Sequence, residues 1–196
     1  MVFLDQILPP VKAPYPKQYE WTYETREGEK VLIRPIRPED EPMMRDMFYS
    51  FSEKTVHLRF HSFVKAMPHQ RLQVFCNVDY DSEMALIGIS GAKGHEEVVA
   101  VGSYMADASL AEAEVAFTVR DDWQRKGLGT FLFGRLVEIA RAKEIREFKA
   151  LVLPENIGML KVFHGSGLKT ESSTEEGVVS VSMSLSDIGS GQGTAQ

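Results

Sequence analysis

Gln124-Arg125-Lys126-Gly127-Leu128-Gly129-Thr130 is the stretch on which the reading of this chain turns. An apolar-rich segment, Glu114-Val115-Ala116-Phe117-Thr118-Val119-Arg120, leads into it, and an amphipathic segment from Phe131 to Lys143 leads out. The order is strand, tight glycine-containing turn, helix. Backbone N–H groups at a helix start have no intrahelical acceptor, and the helix dipole adds partial positive charge there. Such a turn is a site for a phosphate or pyrophosphate. Gly127 and Gly129 lack the side chains that would hold an anion away from the backbone. Arg125 and Lys126 either add charge to the site or face solvent. The bland alternative is an ordinary strand–helix turn.

The bulk numbers suit one soluble domain with short appendages. The chain has 196 residues, 43% of them hydrophobic and 26% charged, which allows a core of useful size. A formal net charge of -6 argues against a general nucleic-acid binder, which carries a basic excess. Cys76 is the one cysteine, so no intrachain disulfide can form, as suits a reducing compartment. Cys76 reads as a core residue rather than a nucleophile. Met1 to Asp5 show no basic segment followed by an apolar run, so no signal peptide is expected. No stretch approaches the roughly 20 apolar residues of a membrane span. The expected location is the cytoplasm, with no membrane partner.

Residues 1–18 contain Pro9, Pro10, Pro14 and Pro16 and read as an extended N-terminal arm. Trp21 and Tyr23 alternate with polar residues, a turn follows at Arg26-Glu27-Gly28-Glu29, and Lys30 to Ile36 completes a hairpin. A helix begins near Asp40, with Met43, Met44, Met47, Phe48 and Phe51 at helical spacing. Ser52 caps a second helix, and Pro68 sits at the first position of a third that runs to Asn77. Strands are expected at 84–89, 98–105 and 113–119. A further strand spans 148–153, Asn156 caps a helix over 157–164, and 168–174 pairs with 178–185 across Glu175-Glu176-Gly177. The last strand reads as an exposed edge through which a homodimer could pair; a monomer is the alternative. Residues 187–196, rich in Gly, Ser and Gln, read as a disordered tail. The domain proper spans 19–186. Its class is α+β: a central mixed, mostly antiparallel sheet flanked by helices, with one parallel strand–helix–strand crossover at 114–167.

The turn resembles the acyl-CoA-binding turn of the GNAT superfamily of N-acetyltransferases, whose pattern is Gln/Arg-x-x-Gly-x-Gly/Ala opening a helix. A second motif agrees. Asn156 is followed eleven residues later by Gly167 and then the bulky apolar Leu168, in the family's order and after an intervening strand. The turn is not a Walker sequence, because no Gly-Lys-Ser/Thr follows. It is not a dinucleotide fingerprint, because the first glycine is missing. Upstream, Val31-Leu32-Ile33-Arg34-Pro35-Ile36-Arg37-Pro38-Glu39-Asp40 and Ser52-Glu53-Lys54-Thr55-Val56-His57-Leu58-Arg59-Phe60 look like the start of the bacterial protein lysine acetyltransferase branch. The likeness covers about residues 15–186.

The resemblance implies an acetyl-CoA-dependent N-acetyltransferase of GNAT fold that needs no metal. The acceptor amine and acyl-CoA meet in a ternary complex and react directly. The acceptor it implies is a protein lysine, with a metabolic protein as partner; a small amine or an amino-acid α-amine is the alternative. The implied pyrophosphate site is Gln124, Arg125, Lys126, Gly127, Leu128, Gly129 and Thr130. Phe117 and Val119 would supply backbone N–H groups to the acyl carbonyl, and Asn156 would touch the CoA arm. Glu114 matches the glutamate proposed as base in this branch. A carboxylate at a strand end can take the amine's proton, directly or through water, once burial raises its pKa; the bland reading is a solvated edge residue. Glu112, on the same face by strand alternation, is the second candidate. Many family members place a tyrosine acid where this chain has Phe163, so protonation of the thiolate falls to water, with Tyr80 and Tyr104 as distant alternatives. His57 and His61 have helical spacing for a metal, but no third ligand is indicated and a bland role is expected. Two further classes stay open: a non-catalytic CoA-binding regulatory module, favoured by Phe163 and opposed by Glu114, and a nucleotide-binding protein using the same turn.

Overall fold

Met84-Ala85-Leu86-Ile87-Gly88-Ile89 is buried at every position, as a strand covered on both faces must be. It forms β3 (Glu83–Ser90), near the middle of an eight-stranded sheet in the computed structural model, which describes residues 13–107 and 109–186. The other strands are β1 (Trp21–Glu24), β2 (Lys30–Pro35), β4 (Glu97–Ala106), β5 (Glu112–Val119), β6 (Glu147–Val152), β7 (Lys169–Glu175) and β8 (Val178–Ser184). Their spatial order is β1-β2-β3-β4-β5-β6-β8-β7. Only β5 and β6 run parallel; the other neighbours are antiparallel. The α+β mixed sheet expected from the sequence is the one observed.

Among the described residues five α-helices cover the sheet: α1 (Glu41–Tyr49), α2 (Glu53–Phe60), α3 (His69–Cys76), α4 (Leu128–Ala142) and α5 (Ile157–His164). Adjacent residues of β4 show how they divide. Val101 faces a cavity lined by α1 and α3, whereas Gly102 lies beneath Leu132 and Leu136 of α4. Successive residues of a strand point to opposite faces, so α1 and α3 lie on one face and α4 on the other. On α4, Leu128, Leu132, Leu136, Ile139 and Ala140 are buried at the three- and four-residue spacing of an apolar stripe. Phe163 of α5 joins that layer, edge-on to Phe117 and Phe133.

The structure differs from the sequence reading at several boundaries. Pro68 is the N-cap of α3 rather than its first residue. Helix α4 starts at Leu128, inside the glycine turn, three residues before Phe131. Strand β8 lies between β6 and β7, so 178–184 is interior and the exposed edge is β7. Its residues, Lys-Thr-Glu-Ser-Ser-Thr-Glu, are almost all exposed, a polar composition that blunts an edge. Of the expected arm, residues 1–12 lie outside the described residues. Pro16 is buried, Lys17–Tyr19 form a 3-10 turn, and the Tyr15 ring packs edge-on against Tyr80, so this part is folded onto the domain rather than extended. The expected tail at 187–196 also lies outside the described residues.

Candidate active site

The site begins where two strands part. β5 and β6 pair over only three positions, Glu112 with Glu147, Ala113 with Phe148 and Glu114 with Lys149, yet β5 continues to Val119. The Arg120 N–H donates to the Val99 carbonyl at 2.9 Å. Backbone groups alternate sides along a strand, so those of Phe117 and Val119 point away from β4, into the gap left by β6. A cleft of about 290 Å³ opens there, bordered by Phe117, Val119, the glycine turn and Asn156. Unpaired strand groups lining a cleft can bind an extended amide-bearing chain as a strand would.

The turn closes one end of the cleft. Gly127 is the N-cap of α4 with φ +87, and Arg125 also has positive φ, at +64. The first intrahelical bond runs from the Phe131 N–H to the Gly127 carbonyl at 3.0 Å. The N–H groups of Leu128, Gly129 and Thr130 therefore have no acceptor within the helix. Successive free N–H groups on an αR–αL turn make an anion-binding concavity. A Cβ on Gly129 would stand 3.3 Å from the Phe117 ring, so this glycine lets the helix start seat closely on β5.

The two basic residues of the turn separate. Lys126 donates to Glu29 at 2.5 Å and stands 5.1 Å from the Trp123 ring centre, so its charge is committed to the β1–β2 hairpin. The exposed Arg125 borders the cleft and has no ion pair among the described residues. Gln124 donates to the Val119 carbonyl at 3.1 Å and to the Thr55 hydroxyl at 3.4 Å, a bracing role between β5 and α2. Asn156 caps α5, accepting from the Met159 N–H at 3.2 Å, while bordering the cleft.

A second cavity, about 230 Å³, adjoins the cleft and is bordered by Glu114, Ala116, Arg59 and Phe163. Glu114 is exposed on its strand and borders this cavity; alternation turns its carboxylate outward rather than into the core. Glu112 lies on the same face but accepts from Lys149 at 2.6 Å, and is thereby neutralised. Phe163 is wholly buried. The Tyr80 hydroxyl is engaged by the Ile36 carbonyl at 2.6 Å, and the Tyr104 hydroxyl is enclosed in the core. His57 stacks on Phe63 and stands 3.5 Å from Glu155. No group of three or more His, Cys, Asp or Glu able to hold a metal occurs among the described residues. Likewise, no helix among them is long and apolar enough to cross a membrane.

Asp121, which the sequence reading passed over, and Arg59, read from its place before Phe60 as a structural or substrate-groove residue, prove central. Asp121 accepts from the Ser52 N–H at 3.0 Å and from the Ser52 and Thr55 hydroxyls at 2.8 Å each, fastening α2 to the end of β5. Arg59, on α2, borders both the cleft and the Glu114 cavity. Asp121 has no local sequence signature, and both placements depend on how α2 lies across β5.

Comparison with known proteins agrees with this geometry. The model of the acetyltransferase (GNAT) domain family matches residues 30–169. "Acetyltransferase Pat" of Mycolicibacterium smegmatis is 34% identical over 145 residues, 74% of this chain and 43% of that protein. The chain thus spans less than half the length of that relative. "Acetyltransferase PA5475" of Pseudomonas aeruginosa is 30% identical over 139 residues, 71% of this chain and 75% of that one. The crystal structure of the GNAT domain of S. lividans PAT superposes with a TM-score of 0.79 at 29% identity, covering 87% of this chain and 99% of that one. The strand gap, the nest at the start of α4 and these matches together show that the chain belongs to the GNAT acetyltransferase family, with the Pat proteins among its homologues.

Proposed function

We propose that this chain transfers the acetyl group of acetyl-CoA to an amine, and that the amine is a lysine side chain of another protein. One observation supports this most directly. A single strand, β5, passes the outward-facing carboxylate of Glu114 and the inward-facing backbone groups of Phe117 and Val119, and ends at the turn into α4. The free N–H groups of Leu128, Gly129 and Thr130 suit the CoA pyrophosphate, with Arg125 adding charge and Asn156 beside the CoA arm. Phe117 and Val119 offer N–H groups to the thioester carbonyl, where negative charge develops as the amine attacks. Glu114 takes the amine's proton, directly or through water. The thiolate is a stable leaving group and takes its proton from water, in keeping with the phenyl ring of Phe163. The lone, buried Cys76 suits a reducing compartment, and we place the protein in the cytoplasm. The lysine acceptor follows the likeness to the Pat proteins.

The test is incubation of the purified chain with isotopically labelled acetyl-CoA and candidate metabolic proteins, read by mass spectrometry of lysine-containing peptides. Acetyl-lysine on a folded target supports the reading. Labelling confined to small amines replaces the lysine acceptor. Phe163 favours a second reading, a CoA-binding regulatory module; tight acetyl-CoA binding by calorimetry without thioester cleavage for any amine establishes that one instead.

A further inference from the structure

The sheet face that carries Glu114 is apolar beside that carboxylate. Met105 of β4 stands opposite Glu114 in one strand pair, and Lys149 of β6 stands opposite it in the other. Leu151, two residues beyond Lys149, points to the same face and borders the Glu114 cavity. Met105 is 60% exposed and Leu151 59%, so the helices on this face stop short of them. Two more exposed apolar residues stand at the rim. Phe63 stacks on His57, which lies 3.5 Å from Glu155. Ile157 adjoins Asn156, a residue of the cavity wall. Farther out the same face turns polar, with Ser180 opposite Leu151, Ser182 opposite Lys149, and Glu171 opposite Ser182. Apolar residues scattered singly on a surface are ordinary, but a cluster rimmed by polar groups marks an interaction site. An apolar centre within a polar rim is the anatomy of a protein interface.

Charge around the cavity is close to balanced. Glu112 is paired with Lys149 at 2.6 Å, and Arg59 borders the same cavity as Glu114 and offsets its charge. A strongly basic partner therefore gains little here. In an extended chain the side chains two residues to either side of a given one share its face, roughly 6.6 Å away along the chain. Met105 lies one strand spacing, about 4.8 Å, from Glu114. A lysine directed at Glu114 from an extended segment thus brings its neighbours at those positions over Met105 and Leu151. We propose that this face docks the acceptor protein and selects a lysine with bulky apolar residues two positions away. This rests on the acetyl-transfer reading and adds to it what must surround the lysine. A free small amine covers none of this surface.

The experiment offers the full chain acetyl-CoA and three fluorescent peptides, each with a single lysine, that carry leucine, serine or arginine two residues before and after it. Acetyl-lysine is measured by mass spectrometry. Anisotropy with the CoA-loaded chain gives a binding readout independent of turnover. The leucine peptide is expected to exceed the other two by about fivefold or more in kcat/KM, the scale of one well-seated interface side chain, and chiefly through KM. Met105→Ser and Leu151→Ser should each erode that preference. Val74→Ser, which removes an exposed apolar residue of α3, should keep it. Equal reaction and equal binding of the leucine and serine peptides by the unmodified chain overturns the proposal, as does a preference for the arginine peptide. A chain lacking residues 1–12, which include Phe3, Leu4, Ile7 and Leu8, should keep the leucine preference. If it instead binds every peptide equally and more tightly, that segment is the occupant of the face and the proposal fails. If no peptide is acetylated, the acetyl-transfer reading fails, and the anisotropy comparison alone decides whether this face docks a lysine with apolar neighbours.

Discussion

The Tyr23 hydroxyl donates to the Lys126 carbonyl at 2.7 Å, joining positions 103 residues apart. The same tyrosine ring lies 4.8 Å from Phe131 in the first turn of α4. With the Lys126–Glu29 pair at 2.5 Å, the β1–β2 hairpin holds the glycine turn in its bent form before any anion arrives. Preorganisation of this kind lowers the ordering cost of binding. Tyr23→Phe should therefore leave the fold intact by circular dichroism and weaken acetyl-CoA binding about fivefold by calorimetry, the scale of one net hydrogen bond.

Gly127 is constrained twice. Its φ of +87 suits glycine, and a Cβ there would collide with the Tyr23 hydroxyl. Gly127→Ala should cost about 1–2 kcal/mol of backbone strain and push the hairpin off the turn. The expected result is a lower urea midpoint together with a larger loss of acetyl-CoA affinity than Tyr23→Phe produces.

Asp121 joins stability to pH. Burial pushes its carboxyl upward, but the hydrogen bonds from Ser52 and Thr55 outweigh it and hold the carboxyl below the ordinary aspartate value. The folded value is thus lower than the unfolded one, about 3.9. Its contribution is complete above that value and is lost as pH falls through the folded value. Asp121→Asn should lower stability at neutral pH, and the gap from the unmodified protein should narrow below about pH 4. Urea unfolding at both pH values checks this.

Much of this architecture was legible because the signals are local. Two glycines after an apolar run mark the nest, and Asn156 caps α5 as read. Ser52 caps α2 as read, its hydroxyl oxygen accepting from the Thr55 N–H. What escaped depends on distant pairing. The hairpin of β7 and β8 could add to β6 by either strand, and burial of Val181 and Met183 chose β8. Lys126 looked available until Glu29 was brought beside it. The sequence left open whether Glu114 is buried, and strand alternation that buries Ala113 and Val115 turns it outward. Arg59 was legible only as a structural or substrate-groove residue, because its full setting comes from three cavities built by separate elements.

Arg34 and Asp40 form the buried ion pair of the domain. Two Arg34 nitrogens donate to the two carboxylate oxygens at 2.7 and 2.6 Å, and the Arg37 N–H adds a third bond at 2.7 Å. Both residues are under 9% exposed. Removing one partner strands a buried charge, at a cost of about 3–5 kcal/mol. Asp40→Ala should show that loss in urea unfolding. The pair Arg34→Met with Asp40→Leu should lose less, because neither charge is left behind.

Glu114 and Glu112 lie two residues apart on one face, yet only one is available as a base. Glu112 is held by Lys149 at 2.6 Å, whereas Glu114 borders the cavity beside the cleft without an ion pair among the described residues. Glu114→Gln keeps the shape and removes the proton acceptor. It should lower kcat at neutral pH by about 10²-fold or more, the usual scale of general-base catalysis, with acetyl-CoA affinity unchanged by calorimetry. The deficit should narrow at high pH, where the amine loses its proton to solvent without help. Glu112→Gln should change kcat little. Equal effects of the two substitutions would mean that the charge of this face, rather than one placed carboxylate, promotes the reaction.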